Sequence, residues 1–492
     1  MLTLLEAVAA GLLVASLPFW LPAVVVRLRM TIFTRINGAE GIAIPGELVS
    51  AERFKWLYSH PAADGRSRGA VLSDLFWYWL SPGPEIHQEH LEPGERYDEI
   101  AATTRRMLAF PRRAAEALAQ RCVARALGEH ETRRAQLVRL RDFAMPIWAE
   151  FYYEVVFGKP CPPHVRRLIV DNANDVVTAL KCCGLRHMRK RARLTEFLIA
   201  SIERGELSHV LPARLSTREQ ALYLQGVFFN TAIVQMSEAT AHLLLALASH
   251  PEMQTAVARK ADHGRYLDRV IHETLRIYPL FGISHRITSS EIVLDERTTI
   301  ARGAVVCFNH PDYHRVGYAE PERFDPDRWL TLSAREANYV PFGVSANRPC
   351  PAQAIALVTL RVVAREVVQR YSLFSPVSHV RALPNRGPCL LVQRDRELHP
   401  SLQALVGAFM RARDRWEDVY RSLVQLVLGS YMVWDSKRLR LCTRYFEQVD
   451  ADSRAAEATC ASCACPVSGH APHRTTTATA DQPRALMKGI CR

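Results

Sequence analysis

The sequence has no long block of like charges, no basic stretch interleaved with aromatics and no internal repeat. Its 63 Lys and Arg are scattered among 50 Asp and Glu, for a formal net charge of +13. Scattered basic charge without stacking aromatics argues against a nucleic-acid surface, because backbone neutralisation and base stacking need both together. It leaves a general attraction to anionic lipid or an acidic partner. Cysteine is thin: 12 in 492 residues, most of them single in apolar stretches such as Cys122, Cys307 and Cys389. That excludes a disulfide scaffold and predicts buried free thiols in a reducing compartment. What is plentiful is apolar sequence, at 48%, enough for one large core or two to three ordinary ones.

One apolar run stands apart. Ala7 to Val26 contains a single polar residue, Ser16. At about 1.5 Å per helical residue this spans a bilayer core. No Lys or Arg precedes it, and Glu6 does, so the basic start of a cleaved signal peptide is missing. Arg27 and Arg29 follow at once, which puts the C-terminal side in the cytosol. Residues 1–30 therefore read as a single-pass membrane anchor, with Trp20 at an interfacial position and Pro18 and Pro22 leaving open a re-entrant or kinked insertion.

The rest alternates in character. Arg112–Leu127, Glu131–Gly158 and Val165–Gly184 carry apolar residues at three- and four-residue spacing and read as helices. Ser216-Thr-Arg-Glu219 is a capping-box sequence. It opens a long helix expected to run to Ser249, before Pro251. Ala261–Tyr278 is another helix. Ile292-Val-Leu and Thr298–Phe308 read as short strands. A Pro- and Arg-rich loop follows, from His310 to Trp329, and a helix is expected from just after Cys350 to Tyr371. Residues 372–395 read as short terminal strands. Helices with a minor strand block make a mainly α domain, placed at 31–397. Residues 398–450 read as a helical extension. Residues 451–492, rich in Ala, Thr, Ser and Pro, read as disordered. The tail's Cys460, Cys463, Cys465, His470 and His473 have a zinc-like spacing, but no fold signal surrounds them.

The chemistry concentrates near Cys350. It lies in Phe342-Gly-Val-Ser-Ala-Asn-Arg-Pro-Cys350, directly ahead of an apolar helix whose positive end favours a thiolate. Upstream, Glu273-Thr-Leu-Arg276 places an acid and a base on one helical face. Between them stand His285-Arg286 and Pro321-Glu-Arg-Phe-Asp-Pro-Asp-Arg-Trp329.

In this order and spacing the three motifs resemble the cytochrome P-450 superfamily. The resemblance covers residues 50–395 in layout and is most specific from 215 to 375. It implies a mainly α fold with a minor β-sheet block, and haem b with an axial cysteine thiolate. Cys350 would be the iron ligand. Phe342 would belong to the cofactor loop. Arg348 and Arg286, with His314 near the same edge, would meet the haem propionates. Glu273, Arg276 and Arg323 would form a buried polar triad.

The sequence also departs from that family. The loop from Phe342 to Cys350 is one residue longer than usual, and Ala346 and Ala352 stand where glycines are expected. Pro351 removes a backbone donor next to the ligand, unless it merely opens the following helix. The usual acid-alcohol pair of the distal helix is missing. Counting back sixteen residues from Pro251 reaches Gln235, preceded by Val234. Instead, Thr231, Gln235, Glu238 and His242 form one stripe at i, i+4, i+7 and i+11. Thr231 and Gln235 are expected to face the pocket, with Asn230 close by. Glu238 offers a route for protons, and His242 reads as solvated surface.

The expectation is a membrane-anchored monooxygenase facing the cytosol. It would insert one oxygen atom from O2 into an apolar small molecule. No flavin or iron–sulfur segment is recognisable, so a separate reductase or ferredoxin would supply electrons. The alternative is a haem-thiolate lyase or isomerase that rearranges a hydroperoxide without external electrons.

Overall fold

The structure is a computed structural model that describes residues 2–37, 41–128, 134–259, 265–380, 387–396 and 399–462. It divides into one unit up to Arg444 and a second from Tyr445 onward. The larger unit is mainly helical. Its core forms where the helices Leu140–Phe157, Ile233–Ser249 and Gln353–Arg370 bury their apolar faces. Trp148, Phe228, Leu244 and Val363 are among the fully buried members. Burial of this kind, at about 25 cal/mol per Å² of apolar surface, is what holds helices without strong intrinsic propensity in place.

Among the described residues, eight short strands make three small sheets. They are β1 (Ile42–Ile44), β2 (Ala135–Arg139), β3 (Ile283–Ile287), β4 (Ile292–Val293), β5 (Thr299–Ile300), β6 (Val305–Asn309), β7 (Tyr371–Phe374) and β8 (Pro388–Gln393). Their orders are β1-β6-β3, β2-β8-β7 and β4-β5. β3 and β6 pair antiparallel, with Arg286 opposite Val306, so the sheet fixes the backbone that carries His285 and Arg286. β2 corrects the helix expected over Glu131–Gly158. Residues 135–139 pair with β8, and the helix starts only at Leu140. Tertiary pairing overrides the helical pattern there.

The long helix opens as expected. Glu219 N–H donates to Ser216 Oγ, and Ser216 N–H donates to the Glu219 carboxylate at 2.9 Å, closing the capping box. It is not uniform, however. Thr217–Leu224 is α-helical, Gln225–Ala232 is π-helical, and Ile233–Ser249 returns to α. A π segment widens the helix by one residue per turn and is frequent at functional sites.

The N-terminal helix Leu2–Asn37 carries the apolar run. Glu6–Arg29 is long and apolar enough to cross a membrane, with mean hydropathy 2.0, and only 6% of that stretch is buried. It packs along the helix Pro400–Leu439. There Arg29 Nη1 donates to Gln425 Oε1 at 2.7 Å, and Arg415 covers the Phe19 ring. Pro400–Leu439 ends at left-handed Arg440 (φ 47°), and a further helix runs from Leu441 to Ser462. That helix reaches twelve residues into the segment 451–492 expected to be disordered. Cys460 sits on its last turns. Cys463, Cys465, His470 and His473 lie outside the described residues.

Candidate functional site

Cys350 lies at the mouth of the helix Gln353–Arg370 and lines a cavity of about 180 Å³. Its loop is held by local geometry. Cys350 N–H donates to the Phe342 carbonyl at 2.9 Å. Gly343 (φ 76°) and Arg348 (φ 52°) take left-handed backbone conformations. A non-glycine residue there is strained and persists only where its surroundings hold it. Arg348 is so held. Its Nη1 donates to the Leu91 carbonyl at 2.6 Å, and its guanidinium stacks 3.6 Å from the Tyr97 ring centroid. Ala352 has φ −88° and ψ 0°, a conformation that does not require glycine.

Pro351 precedes the N-cap residue Ala352 and is not the first helical residue. Burial pushes the Cys350 thiol up to about 11, and the backbone at Ala352 and Gln353 lowers it by less. Gln353 N–H donates to the Cys350 carbonyl at 3.2 Å, which turns the first helical amide back onto the loop.

Facing Cys350 across the cavity is the π-helical segment and the turn after it. Thr231, Gln235 and Met236 line the same cavity, with Val227, Phe228 and Phe281 forming apolar wall. Gln235 Oε1 has no hydrogen-bond partner among the described residues. A second cavity of about 140 Å³ shares Thr231, Gln235, His87, Glu89 and Arg286 and adds Arg66 and Asn230. A larger open cleft of about 610 Å³ elsewhere is lined mostly by basic side chains, Arg139, Arg141, Lys181, Arg413 and Arg421 with Asp142 and Glu417, and lacks Cys350.

The polar stripe divides along its length. Thr231 and Gln235 line the cavities. Asn230 lines the second one, but its side-chain oxygen accepts from Asn172 Nδ2 at 2.5 Å, within a network that includes Gln225 and Thr195. Glu238 is buried against Lys181 at 3.3 Å and lines neither cavity. Glu238 thus stands further along the helix than Thr231 and Gln235, off the pocket lining. His242 is 1% exposed, stacks on Tyr278 and bonds His379 at 2.9 Å, so it is not solvated surface.

Three arginines surround the region. Arg286 and Arg348 line the first cavity, and Arg66 and Arg286 the second. Arg66 is 1% exposed. Its Nη2 donates to Asn347 Oδ1 at 2.8 Å, while Nε and Nη1 have no hydrogen-bond partner among the described residues, nor does Arg286 Nε. The nearest recorded acid, Glu89, is 3.8 Å from Arg66, beyond hydrogen-bond range. Burial first, and the repulsion of Arg286 next, pull the Arg66 guanidinium down to about 9. Arg348 is lowered for the same two reasons, with burial the larger. Buried guanidiniums with free donors are costly unless an anion meets them. A thiol at a helix mouth, an apolar wall and unmatched cations on one side fit an iron macrocycle that carries carboxylates.

His314 does not join them. It is fully buried, with Nδ1 toward the Arg276 carbonyl at 3.2 Å and Nε2 accepting from Val340 N–H at 3.0 Å. It lines neither cavity. Both ring nitrogens are committed to backbone, so the propionate role expected of it is corrected to a structural one. The polar triad changes a member too. Glu273 accepts from Arg276 (2.8 and 2.9 Å), Asp325 N–H (3.0 Å), Arg328 Nε (3.0 Å) and Trp329 Nε1 (3.0 Å). Arg323 points to solvent and pairs with Glu320, so Arg328 is the third member.

Arg66, Asn347 and His87 are the site residues the sequence reading missed. Arg66 sits in an irregular loop held by Glu92, whose carboxylate accepts from three successive N–H groups, Arg66 to Arg68. His87 and His90 form an unusual polar pair in a loop between helices, which is the signal that was there to be used.

Comparison with known proteins gives a consistent picture. The family model described as Cytochrome P450 matches residues 186–398. A putative cytochrome P450 135B1 of Mycobacterium tuberculosis is 29% identical over 204 residues, which is 38% of this chain and 42% of that protein. Cyclooctat-9-en-7-ol 5-monooxygenase of Streptomyces melanosporofaciens is 31% identical over 166 residues, 29% of this chain and 36% of that one. The match thus spans less than half the length of these curated relatives. A six-coordinated cytochrome P450 from Thermus thermophilus superposes with a TM-score of 0.54 at 19% identity, over 69% of this chain and 90% of that chain.

Proposed function

This chain is a distant member of the cytochrome P450 superfamily, and from that premise we propose that it is a haem-thiolate monooxygenase acting on an apolar small molecule. The family implies a haem-thiolate cofactor. The observation that carries the reading is Cys350 at the mouth of its helix, on a cavity shared with Thr231 and Gln235.

Cys350 would hold the iron through its sulfur, and Arg66, Arg286 and Arg348 would take the carboxylates of the macrocycle. When bound, that group supplies one-electron and O2 chemistry. The chain's own residues do the rest. The start of the helix Gln353–Arg370 beside Cys350 favours negative charge on sulfur. Phe228, Met236 and Phe281 exclude water and select an apolar guest. Gln235 Oε1, without a partner, is the group most open to orient a polar atom of that guest. The streptomycete relative is named for a monooxygenation, which supports the reaction class.

Electrons would come from a separate reductase or ferredoxin. The apolar N-terminal helix supports a single-pass anchor with the folded unit on the cytosolic side. A second reading, a lyase or isomerase of an oxygenated substrate, draws on Glu238 being tied to Lys181 rather than standing in the pocket. Turnover of purified holoprotein separates the two. The proposal expects product only with O2 and a reducing partner. Hydroperoxide consumption at comparable rate without electrons would select the second reading.

A further inference from the structure

The helix that faces Cys350 carries Val234 and Gln235 where an acid-alcohol pair is expected, yet it presents an alcohol, Thr231, with a partner from elsewhere. His87 Nε2 lies 2.7 Å from Thr231 Oγ1, although 144 residues separate them. We infer that His87 is a positioning residue that makes the Thr231 hydroxyl a fixed hydrogen-bond donor into the cavity in front of Cys350. The inference rests on the haem-thiolate reading above.

The argument follows from which atoms can donate. Glu89 N–H donates to His87 Nδ1 at 3.2 Å. A backbone amide has no other role, so Nδ1 must present its lone pair. A ring accepting at Nδ1 carries its proton on Nε2. Burial agrees, since it is the main cause that lowers the His87 pKa and favours the neutral ring. Nε2–H therefore donates, and Thr231 Oγ1 accepts. The Thr231 hydroxyl hydrogen is then turned away from His87.

Its backbone outlet is also missing. Seven other helical threonines donate to the carbonyl four residues back: Thr31, Thr104, Thr195, Thr240, Thr255, Thr274 and Thr359. Thr231 lies in the π-helical segment Gln225–Ala232, where the turn is wider, and its recorded side-chain contact is His87. Thr231 and His87 line both cavities, one of them with Cys350. The cavity is what remains for the hydroxyl hydrogen to meet. Gly226 lets the ring lie close to the helix. A Cβ there would stand 3.1 Å from His87 Cδ2, so the ring would have to give by a few tenths of an ångström. The result is a donor built across two elements instead of along one.

The test uses the full-length holoprotein and two probes that accept a hydrogen bond, carbon monoxide on the reduced protein and cyanide on the oxidised one. The C–O stretch is read by resonance Raman in H2O and D2O. The inference expects a lowered, deuterium-sensitive stretch in the unaltered protein. Thr231→Val should raise it and remove the deuterium effect, and Thr231→Ser should retain both. His87→Leu should match Thr231→Val. His87→Gln, whose amide can donate to Thr231, should restore the lowered stretch, which a merely structural role would not do. Cyanide affinity should fall about fivefold in Thr231→Val, as for one lost hydrogen bond. Equal stretches in the unaltered protein and Thr231→Val would overturn the inference. So would a Thr231-dependent stretch that ignores His87→Leu. Absence of a thiolate-type carbon monoxide band in the unaltered protein would instead bring down the functional reading itself, and the inference with it.

Discussion

Arg66 and Asn347, 281 positions apart, are joined by a 2.8 Å hydrogen bond from Nη2 to Oδ1. Asn347 in turn donates to the carbonyls of Tyr58 and Ala63 at 2.7 and 3.1 Å. The cysteine loop is thereby fastened to the segment that carries a buried cation whose recorded acid, Glu89, stands 3.8 Å away.

This pairing predicts opposite signs for apoprotein and holoprotein. Arg66→Met removes a buried charge with two unpartnered nitrogens, so the apoprotein should lose little stability or gain some. Haem affinity should fall about 10- to 100-fold, the range expected for charge-assisted hydrogen bonds. Haem transfer to an acceptor protein, with denaturant unfolding of the apoprotein, measures both. Unchanged haem affinity would remove Arg66 from the site.

Glu273 gathers Arg276, Arg328, Trp329 and the Asp325 amide at full burial. Glu273→Gln leaves two buried cations without their charge partner and should cost about 3–5 kcal/mol. Arg323→Ala, at an exposed surface pair, should stay within about 0.5 kcal/mol. Denaturant unfolding of the two variants distinguishes the partners of Glu273, and similar losses in both would restore Arg323 to the triad.

His314 gives a pH dependence. Burial first, and the Arg276 charge further down, lower its pKa to about 4 against an ordinary 6.5. The unfolded chain then binds a proton that the folded one refuses between those values. Stability from this residue is complete above about pH 6.5 and declines as pH falls toward 4, by about 1.4 kcal/mol per pH unit. His314→Asn should flatten that part of the unfolding-stability profile. An unaltered slope would assign it to other groups.

The N-terminal helix should be separable from the site. Removal of residues 2–30 should shift the protein from the carbonate-resistant membrane fraction to the soluble one, with its haem spectrum retained. Loss of the spectrum on truncation would show instead that packing against Pro400–Leu439 supports the fold.

Legibility in the sequence followed contiguity. Cys350 and the Glu273–Arg276 pair could be read because each is a short motif on or beside a helix, where spacing fixes geometry. Arg323 and Arg328 could not be told apart. The 3-10 turn Pro326–Leu330 has no periodicity to say which arginine faces inward. β2 escaped because its partner lies some 250 residues away. The stripe from Thr231 to His242 was correct as one face of an ideal helix, but its neighbours change along it, from cavity to Lys181 to His379. Arg66 and His87 sit in irregular loops whose positions depend on tertiary contacts alone.

The most direct test of the account is the absorption spectrum of the full-length protein, reduced under carbon monoxide, beside Cys350→Ser. The account predicts the red-shifted Soret band of a thiolate-ligated haem, and its loss in the variant. Failure of the purified protein to take up haem, or the same band with serine at 350, would contradict it.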